Sequence, residues 1–240
     1  MSQKSFFGRS TYELDAGEVR RKKRTIRNLI IRAYRNPITR WYCRIRFQIM
    51  NIDFLDTLEQ HLGEADRILD IGCGFGLFAL YYASSGPARQ VSGFDISSTR
   101  IAEAQQVAQK LNLSNTAFFC QDAATYQFSE SFDVVVTLDL LHHVSPGVAE
   151  QLISQAYQAL NSNGILIIKD INTTPAHKLY FTYAVDMAMT PRWPVHYRST
   201  RAWQAVLMQA GFKQVFAYPL NDFLPYPHVL LVAYKSPPRY

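Results

Sequence analysis

The pattern of apolar and polar positions changes character once along the chain. Up to residue 63 the apolar positions recur at helical spacing. From Glu18 to Arg35, Ile26, Leu29, Ile30 and Ala33 fall three and four apart beneath a dense basic face. Asn36-Pro37 then reads as an N-cap followed by a proline in the first turn. A second stripe, Ile38, Trp41, Tyr42, Ile45, Ile49, Ile52, Leu55 and Leu62, predicts one long amphipathic helix over 38–62, ending near Gly63.

Beyond residue 63 short apolar runs alternate with helix-length segments. The pattern predicts strands at 67–71, 90–95, 116–120, 132–138, 164–170, 213–219 and 228–235, and helices at 75–85, 97–111, 147–160 and 199–210. Such alternation implies an α/β fold, a doubly wound, mostly parallel seven-stranded sheet with helices on both faces. The last two runs are joined by a short Pro/Asn-rich link with no helix, so the final strand is expected to be antiparallel. One segment, 172–199, interrupts the alternation with Tyr180, Phe181, Tyr183, Met187, Met189 and Trp193. An insertion after a strand's C-terminal end lands over the edge where open α/β sheets hold ligands. The chain thus divides into a basic N-terminal arm with cap helices, 1–63, and an α/β domain, 64–240. Residues 1–16 are polar and expected to be loosely ordered.

Composition narrows the class. With 240 residues, 48% hydrophobic and 18% charged, the chain suits one sizeable folded domain. Cys43, Cys73 and Cys120 are scattered, without a CxxC pair or Cys/His cluster. Neither a disulfide framework nor a metal site is expected, and a reducing cytoplasm is the default location. The N-terminus is basic and lacks an apolar signal core, and no stretch of about 18 apolar residues predicts a membrane span.

The net charge of +6 is uneven: residues 1–46 hold thirteen Lys/Arg against three Asp/Glu, and the remainder holds twelve against sixteen. An anionic partner for the arm follows, either lipid headgroups or nucleic acid. Arg20, Arg21, Lys22, Lys23, Arg24, Arg27, Arg32 and Arg35 above Ile26, Leu29 and Ile30, with Trp41 and Tyr42 beyond, form a pattern suited to peripheral contact with an anionic membrane. The most basic stretch lacks interleaved aromatics, which ranks nucleic acid lower.

The candidate chemistry begins at RILDIGCGFG. Gly72, Gly74 and Gly76 follow an apolar run, in a strand–turn–helix setting that suits a nucleotide. The dinucleotide spacing GxGxxG fails, because Leu77 stands where its third glycine belongs. Asp95 ends the second strand of VSGFDIS, where a carboxylate can accept both hydroxyls of a ribose. Asp122 in FFCQDAATY follows the third strand, and Asp139, His142 and His143 in FDVVVTLDLLHHV follow the fourth. Plainer readings stand beside these: Asp95 as a helix-start acid, Asp122 as a loop acid, Asp139 as a turn cap.

The run D-x-G-x-G-x-G from Asp70 to Gly76 resembles the first motif of class I S-adenosylmethionine-dependent methyltransferases, and the other motifs follow in that family's order over 64–171. The resemblance implies S-adenosylmethionine as cofactor, with Asp70, Gly72, Cys73, Gly74 and Gly76 shaping the loop around its methionine and ribose. It further implies Asp95 on the ribose, Asp122 and Ala123 on the adenine edge, Ile96 and Leu140 flanking the adenine, and Asp139 beside the cofactor.

Methyl transfer from a sulfonium asks the protein mainly to align a nucleophile and exclude water, with a base where a hydroxyl or carbon acid must ionise. His143, His142 and Asp139 are the candidates, with the two histidines expected to point different ways. Lys169 and Asp170 end the fifth strand, either facing the site or pairing with each other. Tyr183, His196, Tyr197, Tyr226 and His228, with His177, line an acceptor pocket or pack the surface. The D/N-P-P-F/Y tetrad of adenine and glutamine N-methyltransferases is replaced by LDLL, and Asp139 and Asp170 alone do not make a metal centre. The expectation is methyl transfer to oxygen or carbon of a small hydrophobic, aromatic or lipid-like acceptor. An RNA methyltransferase guided by the basic arm and a non-catalytic cofactor-binding protein are the alternatives.

Overall fold

A computed structural model describes residues 16–189, 194–220 and 225–237; most of the polar 1–16 stretch and Trp193 lie outside the described residues. The chain opens with α1 (Ala16–Ala33), α2 (Pro37–Ile49) and α3 (Ile52–Leu62). Asn36 caps α2 by accepting the Ile38 N–H, and Pro37 sits where no N–H partner is needed. The single helix predicted over 38–62 is two. Met50 ends α2, and the Asn51 side chain accepts the Phe54 N–H at 3.0 Å to start α3. A continuous apolar stripe conceals such a break, because the asparagine competes locally for the backbone without disturbing the apolar spacing.

Seven strands follow: β1 (Arg67–Ile71), β2 (Gln90–Asp95), β3 (Thr116–Cys120), β4 (Phe132–Leu138), β5 (Leu160–Ile171), β6 (Gln214–Leu220) and β7 (His228–Tyr234). Between them lie α4 (Leu77–Ser85), α5 (Ser98–Lys110), α6 (Pro146–Ala159), α7 (Ala176–Met189) and α8 (Thr200–Ala210). Strand β5 starts earlier than predicted, pairing Leu160 with Phe132 before a register shift brings Ile165 opposite Val134. Helix α7 occupies the aromatic insertion and was not predicted.

The sheet order is β3-β2-β1-β4-β5-β7-β6, with β7 antiparallel to both neighbours and the other six strands parallel. Alternation along the strands feeds two cores. Ile68, Val134, Ile167 and Leu230 face α1–α5, joined by Tyr34, Phe47, Leu55 and Tyr82. Leu69, Val135, Ile168 and Leu231 face α6 and α8, joined by Trp203 and Leu207. The strand order reverses between β1 and β4, and the crevice at their C-terminal ends is where sheets of this kind hold ligands. No helix among the described residues is long and apolar enough to cross a membrane.

Candidate active site

Three glycines with positive φ reverse the chain after β1: Gly72 at +71°, Gly74 at +56° and Gly76 at +72°. They are bare for different reasons. A Cβ on Gly72 would meet Leu140 at 2.8 Å, and one on Gly76 would meet Ala104 at 2.8 Å and Phe118 at 2.9 Å. Beside Gly74 nothing lies within 4 Å. Gly72 and Gly76 serve packing, and Gly74 borders the open crevice. Cys73 donates its N–H to the Phe94 carbonyl at 2.9 Å, and its side chain lies over Gly93. Asp70 is buried under this loop. Burial, reinforced by nearby Asp95, pushes its carboxyl up to about 8, and the Ala79 amide in the first turn of α4 bonds to it. Asp70 therefore supports the loop from beneath rather than lining the crevice.

Asp95 accepts the Gly74 N–H at 3.0 Å through Oδ2 and the Ser97 N–H at 2.9 Å through Oδ1. A carboxylate offers about four acceptor positions, so two remain for a ligand diol. The N-cap of α5 is Ser97, so Asp95 is not spent on starting that helix. Gln121 donates its N–H to the Asp95 carbonyl at 3.1 Å, which carries Asp122 and Ala123 to the same rim. Asp122 is exposed and its Oδ1 accepts the Ala124 N–H at 2.9 Å. Ile96 is 53% exposed, and half-buried Leu140 reaches Gly72.

Asp139 follows β4 with φ +58° and donates its N–H to the Lys169 carbonyl at 2.8 Å. Its carboxylate meets Lys169 Nζ at 2.5 Å, an Arg46 guanidinium nitrogen at 2.7 Å and His228 Nε2 at 3.8 Å. Burial alone would raise the Asp139 carboxyl, but Lys169 and then Arg46 hold it well below the usual range. Burial lowers Lys169 to about 8 in spite of Asp139. His228 is lowered to about 3 by burial and then by Lys169, so it is neutral. Arg46 was missed at the sequence level: it is one of many arginines in the arm, and only the tertiary fold brings α2 over the end of β4.

Lys169 and Asp170 leave β5 on opposite faces and do not pair. Asp170 instead binds His142 Nδ1 through Oδ1, which also accepts the Ile171 N–H at 2.7 Å. His142 Nε2 lies 3.9 Å from Asp186 Oδ2 on α7, and Tyr197 donates its hydroxyl to that same oxygen at 2.6 Å. The expectation that His142 and His143 point apart is corrected. They occupy a 3-10 turn, Leu141–His143, and their ring centroids lie 4.0 Å apart, because the strand's two-residue alternation has already ended. Burial pulls His142 down, but Asp170 more than restores it, leaving it raised. His143 is lowered by burial and then by His142. Its Nδ1 is buried without a hydrogen-bond partner.

Donor atoms of His142, His143 and Asp186 gather within 4.8 Å. Asp170 on His142 Nδ1 and Tyr197 on Asp186 fix two of these three groups, and His143 keeps a ring nitrogen without a partner. His196 donates its N–H to the His142 carbonyl at 2.7 Å. Tyr226 stacks on His228 at 5.4 Å and meets Phe181 of α7 at 5.8 Å. Tyr183 is exposed on α7, as is His177.

A family model described as a methyltransferase domain matches residues 68–164, from β1 into β5. The match covers 97 of the 240 residues, and over them the chain is similar to S-adenosylmethionine-dependent methyltransferases. Among its methyltransferase relatives, a ubiquinone biosynthesis O-methyltransferase of Rhodopseudomonas palustris is 29% identical over 148 residues, 62% of this chain and 55% of the relative. The 27-O-demethylrifamycin SV methyltransferase of Amycolatopsis mediterranei is 29% identical over 68% of this chain and 59% of its own. The chain thus spans little more than half the length of these curated relatives. The magnesium protoporphyrin IX methyltransferase of Synechocystis, solved with S-adenosylhomocysteine, has the same fold, with TM-score 0.62 and 23% identity over 92% of this chain and all of that one. The crevice fits the methyltransferase cofactor: Gly74 leaves the loop open, and Asp95 keeps acceptor positions beside it.

Proposed function

We propose that the chain transfers a methyl group from S-adenosylmethionine to an oxygen of a small lipophilic acceptor. The carrying observation is the open position at Gly74 set against Asp95, with a partnerless buried imidazole nitrogen, His143 Nδ1, in the turn after β4. Asp95 would hold the ribose hydroxyls, Asp122 and the Ala123 amide the adenine edge, with Ile96 and Leu140 on its faces. The bound cofactor supplies an electrophilic methyl carbon already activated by its sulfonium charge. The protein's remaining tasks are to orient the acceptor, exclude water and accept a proton.

His143 suits the last task. Burial and the neighbouring His142 keep it neutral at pH 7, free to take a hydroxyl proton. Asp170 fixes the His142 ring by its Nδ1, and Asp186 with Tyr197 closes the other side. Exposed Tyr180, Phe181, Tyr183 and Met187 on α7 supply an apolar wall for the acceptor. The relatives named for ubiquinone biosynthesis and for 27-O-demethylrifamycin SV favour oxygen over carbon as the accepting atom.

The test is methyl-labelled cofactor with cell lipid extract and, separately, total RNA. Label in the organic phase supports the proposal. Label in RNA alone, or tight cofactor binding with no transfer to either pool, sinks it. The rate should fall in acid below the ordinary imidazole range as His143 gains a proton. His143→Asn should lower kcat by about 10²–10³-fold and abolish that acid limb in a pH–rate profile.

A further inference from the structure

The apolar side chains that the sequence pattern assigns to a membrane do not all face outward. Ile30 is fully buried and Ile26 is half-buried in the core beneath α1. Leu29 at 52% exposure and Trp41 at 63% do face outward, and Ile38 at 74%, which that pattern did not include, joins them. They gather where α1 hands over to α2, a turn of three residues, Tyr34 to Asn36. Single exposed apolar residues are ordinary, but three large ones at one helical corner mark an interaction surface.

Much of the positive charge around this corner is unpaired among the described residues. Residues 16–50 hold eleven Lys/Arg and one acid, Glu18. Arg20 and Lys23 reach Asp53 and Asp56, and Arg46 reaches Asp139. Lys22, Arg24, Arg32, Arg35 and Arg44 have no carboxylate within ion-pair distance among the described residues. Arg32, Arg35 and Arg44 are exposed, as Leu29, Ile38 and Trp41 are, and fall among them at three-residue steps.

The corner also runs into the active site. Tyr42, next to Trp41, packs on Phe75 of the glycine loop at 5.5 Å. One turn further on, Arg46 holds Asp139. From the other side α7, with Tyr180 and Tyr183 exposed, reaches the same acid through Phe181, Tyr226 and His228.

We infer that the α1–α2 corner, Leu29, Ile38 and Trp41 framed by Arg32, Arg35 and Arg44, docks on an anionic lipid bilayer and so holds the Tyr42–Phe75 and Arg46–Asp139 contacts beside it. The guanidinium groups meet lipid phosphates while the apolar side chains enter the acyl boundary. Nucleic acid fits less well, because phosphates would leave Leu29 and Ile38 uncovered. The route by which an acceptor passes from bilayer to site rests on the function proposed above; the docking does not.

The experiment is flotation of the full chain with phosphatidylcholine vesicles, with and without phosphatidylglycerol, beside calorimetry with S-adenosylhomocysteine. Binding should require phosphatidylglycerol. Arg32→Glu/Arg35→Glu and, separately, Ile38→Ser/Trp41→Ser should each lower partitioning about tenfold or more while nucleoside affinity and melting temperature stay unchanged. Wild-type partitioning by both variants, equal binding to neutral vesicles, or displacement by tRNA into a tighter complex would overturn the inference. A chain that binds vesicles but not the nucleoside would sink the proposed activity and leave the docking standing.

Discussion

Gly74 and Gly76 share a backbone conformation and differ in what surrounds them. Alanine at either position meets the left-handed cost of about 1 kcal/mol. At Gly76 it also overlaps Ala104 and Phe118, so Gly76→Ala should destabilise the fold by about 2–4 kcal/mol. Gly74→Ala should leave the fold within about 1 kcal/mol and weaken S-adenosylhomocysteine binding about tenfold or more, or about 1.4 kcal/mol, because its methyl enters the crevice. Thermal denaturation and calorimetry on both variants separate the two effects. Asp70 gives a second prediction. Its carboxyl titrates near 8 when folded and near its ordinary value, about 3.9, when unfolded. Its contribution is fully present below the unfolded value and is lost as pH rises through the folded one. Stability should therefore decline between pH 5 and 8 by up to about 1.4 kcal/mol per pH unit from this group. Asp70→Asn, which keeps an acceptor for the Ala79 amide, should flatten that slope in melts taken across the range.

Among the elements, the strands and the helices between them were legible because a two-residue period and a helical period differ plainly over lengths like these. The two failures share a cause. The break at Asn51 and the helix α7 are both set by residues whose apolar pattern does not change. Asn51 acts through one side-chain bond, and Asn51→Ala should cost about 1 kcal/mol in chemical denaturation, with α2 and α3 retained by their packing. Helix α7 has apolar residues on every side, so no stripe betrays it, although Pro175 immediately before Ala176 marks a helix start. At the site, the acids at the ends of β2 and β4 follow from strand position. Arg46, Asp170 and Asp186 acquire meaning only through partners far away in sequence. The misread pair His142 and His143 shows that alternation holds only while the strand lasts.

At the scale of the whole molecule, the cap helices and one face of the sheet bury their apolar side chains together, Ile30, Tyr34 and Phe47 with Ile68, Val134 and Ile167. Such continuity predicts one cooperative unfolding transition. Far-ultraviolet circular dichroism and the fluorescence of buried Trp203 should trace the same curve. S-adenosylhomocysteine at a hundred times its Kd should move that curve upward as a unit by about 5–10 °C. A cap that melts ahead of Trp203 would contradict the shared core.

Asp139 is held by Arg46 from the first fifth of the chain and by Lys169 of β5, with neutral His228 of the last strand beside it. A polypeptide emerging from the ribosome offers the nucleoside loop early, yet this anchor is finished only when β7 has been synthesised and zipped beside β5. Unfinished or clipped chains ought therefore to leave Asp139 unsettled even where they already grip the nucleoside and, on the function proposed above, to transfer no methyl group.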